Sequence, residues 1–273
     1  MNKVFFVKLD HLRKLAINAL FFLALFIFPT YSWAANLHAI IVCDTLAPGI
    51  EQSVRADLYT LKNRIKTISY FTGLELNETI FDGTSLTSNS LFTVIEQMTI
   101  NPEDVVIFYY SGHGYRTESK SSENPWPTLY FSRQNRGVDF YALTEKITNK
   151  HPRLFISLSD CCNNIILDGY IPEVGVSRAL KPMAHLSYEA RERFNYETLF
   201  LSHQGTLIIS SSKYGEFSWG TRYGGLYTNA FFENLDLEVR NAQNPSWSAI
   251  LERTNLDVDD VEHPEYQILF QEN

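Results

Sequence analysis

Val105-Val106-Ile107-Phe108-Tyr109-Tyr110 runs without a polar break into Ser111-Gly112-His113-Gly114. An apolar run of strand length, entered after Asn101-Pro102 and left through glycine, is the pattern of a strand covered on both faces in the middle of a parallel sheet. A second such run, Leu154-Phe155-Ile156-Ser157-Leu158, passes into Ser159-Asp160-Cys161-Cys162-Asn163-Asn164. Each strand therefore delivers a reactive side chain, His113 or Cys162, just past its C-terminal end. Open α/β sheets place their sites there.

Outward from these two strands, apolar runs alternate with stretches of helical period. His38 to Cys43 reads as a strand, and in Glu51 to Phe71 the residues Val54, Leu58, Leu61, Ile65 and Ile68 recur at helical steps until Gly73 closes the segment. A short strand is expected around Thr79 to Phe81. A helix capped by Ser88 or Asn89 should run to about Met98. Tyr115 to Pro127, rich in Ser, Glu and Pro, reads as a solvent loop, followed by a strand at Leu129 to Phe131 and a helix near Phe140 to Thr148. Residues 165 to 204 lack a period and read as a long mobile loop with a helix near its end. Leu207 to Ile209 is a strand, Lys213 to Gly225 a glycine-rich aromatic loop, and Leu226 to Leu237 a helix. The expected architecture is one α/β domain of three layers, with a mostly parallel sheet of about six strands between helices.

Composition bounds the partners. The chain has 273 residues, 45% apolar and 20% charged, enough for one good-sized core. Lys and Arg total 23 against 31 for Asp and Glu; a formal charge of -8 opposes a nucleic-acid groove, which needs clustered cations. The N-terminus carries Lys3, Lys8, Arg13 and Lys14, an apolar run from Leu15 to Phe28, and Ser32-Trp33-Ala34. That is the form of a secretory signal peptide over residues 1–34, cleaved after Ala34. The run is shorter than the roughly 20 residues a spanning helix needs, so no stable membrane span is expected after its removal. The protein is expected to be exported, to the periplasm or outside the cell, with 35–273 as its folded domain. Cys43, Cys161 and Cys162 do not make a disulfide framework, because adjacent cysteines pair only through a strained ring. Cys43 reads as core filler.

His113 and Cys162 together suit nucleophilic catalysis. A thiol of ordinary pKa is only slightly ionised at neutral pH, and an imidazole can take its proton and later protonate a leaving amine. Gly114 permits close approach of the backbone to a substrate, and its N–H with that of Cys162 can receive an oxyanion.

Asp104 to Gly114 with Leu158 to Cys162, in that order and with Cys162 49 residues after His113, resembles the caspase-like cysteine peptidases, specifically their metacaspase and bacterial branch (peptidase C14). The order of elements from about 37 to 237 agrees. The resemblance implies a hydrolase acting on protein or peptide substrates, with His113 as catalytic histidine and Cys162 as nucleophile. Cys161 stands where the family has a small residue. Asn163-Asn164 replaces the His-Ser-Gly common after the metacaspase nucleophile, so the following loop is expected to differ.

The resemblance also places Asp160, and Asp57 on the first helix, in the pocket for the substrate's first side chain. Both favour Arg or Lys: attraction across about 4 Å at an effective dielectric near 20 is on the order of 4 kcal/mol before desolvation. Arg178, Lys181, Arg191 and Arg193 then become candidate self-cleavage sites, and Tyr214, Glu216, Phe217 and Trp219 candidate substrate-binding surface. No cofactor is expected. Calcium serves several metacaspases, but Asp257, Asp259, Asp260 and Glu262 lack EF-hand spacing and read as a solvated acidic face. The alternative function is a pseudopeptidase, a binding module that keeps the fold without turnover.

Overall fold

The computed structural model describes residues 35–166 and 189–271. In chain order the strands are β1 (Asn36–Cys43), β2 (Glu75–Asp82), β3 (Val105–Ser111), β4 (His113–Thr117), β5 (Thr128–Phe131), β6 (Arg136–Asp139), β7 (Leu154–Asp160), β8 (Ile165–Ile166), β9 (Gly205–Ser210), β10 (Gly220–Thr221), β11 (Gly224–Gly225) and β12 (Glu265–Phe270). The helices are α1 (Glu51–Thr72), α2 (Ser88–Gln97), α3 (Phe140–Thr148), α4 (Glu189–Leu201), α5 (Leu226–Asn241) and α6 (Trp247–Val258).

Period-two alternation along β3 divides the core. Val105, Ile107 and Tyr109 pack with the apolar faces of α1, α4, α5 and α6, whereas Val106, Phe108 and Tyr110 pack with those of α2 and α3. The sheet therefore lies between two helical layers, as expected. Its order is β12-β9-β7-β3-β1-β2. All neighbours are parallel except β12, which runs antiparallel to β9. The uninterrupted runs β3 and β7 lie in mid-sheet, paired Val105 to Leu154 through Ser111 to Asp160, so their C-terminal ends open on the same rim. Among the described residues, no helix is long and apolar enough to cross a membrane.

Several local expectations need correction. The Leu129 to Phe131 strand belongs to a separate four-stranded sheet, β6-β5-β4-β8; β12 completes the main sheet instead. Part of the expected loop after Tyr115 continues β4. Its Arg116 is fully buried, donating to the carbonyls of Lys120, Ser121, Asn124 and Trp126 and lying over the Tyr214 ring, so a polar-looking segment is organised around one cation. Thr87, rather than Ser88 or Asn89, caps α2 by accepting from the Ser90 N–H. Arg191 and Arg193 lie on α4 and not in a loop. Arg193 is held there, donating to the Tyr70 and Phe71 carbonyls while stacking on both rings. Arg178 and Lys181 lie outside the described residues, as does the signal-peptide segment.

Candidate active site

The rim above β3 and β7 holds a cleft of about 510 Å³ lined by His113, Gly114, Cys162, Asp160 and Asp57, so the structure brings all five sequence-selected residues to one place. Cys161 also lines it but is buried, whereas the Cys162 thiol is half-buried. The adjacent cysteines therefore divide into an inner and an outer sulfur.

The turn bearing Cys162 is fixed from three sides. Cys161 N–H donates to the Ser211 hydroxyl at 3.0 Å, and the Ser212 hydroxyl donates to the Cys161 carbonyl at 2.7 Å. Asn163 binds the 215–216 backbone through its own N–H and carbonyl, and its Nδ2 donates to Pro125 O at 2.6 Å. Asn163 thus joins the Cys162 turn to two loops, which explains how a different sequence after Cys162 still forms a fixed wall. Gly114 is required by close approach: a Cβ there would collide with Cys161 Sγ and the Cys162 carbonyl.

His113 Nε2 lies 3.0 Å from the Pro48 carbonyl, an atom that only accepts. In the neutral ring Nε2 is therefore the N–H, and Nδ1 is left with the lone pair. Burial lowers the His113 pKa below its usual 6.5, keeping the ring neutral at neutral pH. Cys162 Sγ donates to Ser218 O at 3.6 Å and accepts from Ser218 N–H at 3.4 Å. Burial pushes this thiol up to about 11. At rest these groups are a neutral thiol and a neutral imidazole rather than an ion pair.

Beside this pair lie two buried carboxyls. Asp57 sits on the apolar stripe of α1 between Val54 and Leu61, which turns it inward. It accepts from the Ser111 hydroxyl at 2.7 Å and the Gly225 N–H at 2.8 Å. Asp160 Oδ2 accepts from Thr228 N–H at 3.0 Å and Thr228 Oγ1 at 2.5 Å, in the first turn of α5, while the Ser218 hydroxyl lies 2.8 Å from Oδ1. Gly225 lies against Asp160 so closely that a Cβ would overlap the carboxyl. Burial, then repulsion from Asp160, raises Asp57 to about 8, and burial raises Asp160. Neither pairs with a Lys or Arg among the described residues. The arrangement suits a cationic ligand side chain.

Three contributors carried no clear signal in the sequence: Asn163, Ser218 and Glu262. Glu262 corrects the expected solvated acidic face, since it is fully buried, lies 3.0 Å from the Ser218 hydroxyl and accepts from Trp219 N–H. Its neighbour Val258 is the buried end of α6, which draws the following turn inward. Among the described residues, no group of three or more His, Cys, Asp and Glu side chains is arranged to hold a metal ion.

The caspase domain family model (Peptidase C14) matches residues 38–270. A solved structure, caspase-1 from Spodoptera frugiperda, shares this fold with a TM-score of 0.55 and 17% identity, covering 86% of each chain. No curated protein matches the sequence significantly. With the family pattern spanning the sheet from β1 to β12, the chain belongs to the caspase domain family of cysteine peptidases.

Proposed function

We propose that this protein is a cysteine endopeptidase that cleaves polypeptides after Arg or Lys. The observation that carries this reading is one cleft lined by a thiol, an imidazole and two buried carboxyls that have no Lys or Arg partner among the described residues. The substrate's first side chain enters the pocket beside Asp57 and Asp160 and supplies the missing cation, as the resemblance to the metacaspase and bacterial branch implies. His113 Nδ1 takes the proton of Cys162 as Sγ attacks the peptide carbonyl. The N–H groups of Gly114 and Cys162 receive the oxyanion. His113 then protonates the leaving amine, and water hydrolyses the thioester with the imidazole again as base.

In the same proposal the protein is exported after cleavage behind Ala34 and needs no cofactor other than calcium, whose role the assay below decides. Arg178 and Lys181 are its self-processing sites. The high thiol pKa and the neighbouring Cys161 favour the second reading, a binding module that holds cationic segments without cutting them.

The experiment is cleavage of peptides with Arg, Lys or Asp before the scissile bond, under reducing conditions, with and without calcium, beside the Cys162→Ala protein. Cutting after Arg or Lys that vanishes in the variant is expected. Cutting after Asp alone overturns the pocket, and binding without cutting establishes the second reading.

A further inference from the structure

Among the ties between the pocket wall and the C-terminal part of the chain, one reaches the cleft-lining residues themselves. Glu262, in the turn between α6 and β12, has Oε1 within 3.0 Å of the Ser218 hydroxyl and also accepts from Trp219 N–H. Ser218 is the residue whose backbone touches Cys162 Sγ, and Trp219 lines the cleft. Glu262 Oε2 is buried without a hydrogen-bond partner. An unsatisfied carboxyl oxygen in the interior is costly and needs a reason to persist.

The Ser218 hydroxyl supplies that reason. It lies 2.8 Å from Asp160 Oδ1 and 3.0 Å from Glu262 Oε1, but it has one proton. It can donate to only one carboxylate; the other contact is a hydrogen bond only if a carboxyl carries a proton. The groups facing Glu262 do not supply a compensating cation. They are Asp160 of β7, Asp57 of α1, the Cys162 thiol and the Tyr227 phenol of α5, while the adjacent His263 turns away to Glu216. Burial, then the charge of Asp160, raises Glu262 well above the usual carboxyl range.

We propose that Glu262 is a positioning residue of the pocket: it holds the Ser218–Trp219 wall and, through the Ser218 hydroxyl, shares with Asp160 one proton that an entering cationic side chain displaces to solvent. This rests on the assignment of Asp57 and Asp160 to the substrate's first side chain. The consequence is that Arg or Lys binding is coupled to proton release, so a neutral side chain, which displaces no proton, gains nothing from the third carboxyl. Discrimination then comes from an acid that does not itself line the cleft.

The test is calorimetric titration of the full-length Cys162→Ala protein, which cannot turn over, with a peptide carrying Arg at the cleavage position and the same peptide carrying Gln. Two buffers of different ionisation heat count the protons released. Glu262→Gln, nearly isosteric, should weaken the Arg peptide about tenfold by removing one nearby charge and leave the Gln peptide unchanged. It should also cut proton release by about half a proton at neutral pH. Ser218→Ala should reduce the release similarly, and the double variant should add little to either single one. Unchanged release and affinity in Glu262→Gln, or equal weakening of both peptides, would overturn the proposal while leaving the Asp57 and Asp160 pocket standing. No preference for Arg in the Cys162→Ala protein would overturn the pocket itself and the proposal with it. Proton-coupled Arg binding that depends on Glu262 supports the proposal even if the wild-type protein proves not to cut.

Discussion

Asp104 and Asp160 stand at opposite ends of adjacent central strands, Asp104 just before β3 and Asp160 closing β7, and both are buried. Their surroundings are opposed. Asp104 accepts from Asn36 N–H at 2.8 Å, Asn36 Nδ2 at 3.1 Å and Asn101 N–H at 2.8 Å, and lies 3.1 Å from His38 Nε2. Burial pushes its pKa up, but these hydrogen bonds outweigh it and the net shift is downward. Asp160 is more deeply desolvated, and burial outweighs the hydrogen bonds from Thr228, Ser218 and Ser211, so its shift is upward. The same side chain is held ionised where its donors outweigh desolvation and is pushed towards the neutral form where desolvation outweighs them. Deeper burial, with no Lys or Arg partner among the described residues, distinguishes the rim end of the sheet.

The largest effect that can break this contrast is on selectivity. Asp160→Asn should lower kcat/KM for Arg peptides on the order of 100-fold, with a much smaller change in melting temperature. Asp104→Ala should do the reverse, costing about 2–4 kcal/mol in denaturant unfolding by orphaning buried donors, with kcat/KM changed less than about threefold. Comparable losses of activity from the two variants would erase the distinction.

Proton linkage sharpens it further. Asp57 is raised from 3.8 to about 8 in the folded state, so the folded protein holds a proton that the unfolded chain releases. Its stabilising contribution is complete below about 3.8 and declines as pH rises towards about 8. Asp104, lowered, contributes in the opposite sense, with stability present above the ordinary carboxylate value and lost as pH falls through its folded one. Melting temperature followed from pH 4 to 8 should therefore fall less steeply in Asp57→Asn than in the wild type, and Asp104→Asn should leave that slope in place. The smallest expected effect is on His113 itself: its ring, followed by NMR against pH, should take up a proton only below pH 6.5, because burial disfavours the imidazolium. Protonation above that value would place His113 among anions instead.

The central strands were legible because β3 and β7 have no polar interruption, and a strand buried on both faces has no room for one. Asp57 was legible as a helix residue beside an apolar stripe, though its direction was not. Strand β12 hid because it is an edge strand: Glu265-Tyr266-Gln267-Ile268-Leu269-Phe270 stays partly exposed throughout, and its pairing with β9 is non-local. Glu262 hid for a different reason. Its neighbours Asp259 and Asp260 are exposed, and composition cannot show one acid of such a cluster turning inward. Arg116, in a stretch of loop composition, was invisible because its partners are backbone carbonyls, which any sequence supplies.

The division between inner and outer sulfur has a practical side. Cys43 and Cys161 are sealed in the interior and Cys162 alone among the three cysteines has some access to solvent. A thiol-reactive label applied to the native protein should therefore attach once, and three times after denaturation. Counting labels by mass gives the concentration of correctly folded molecules without any knowledge of the substrate.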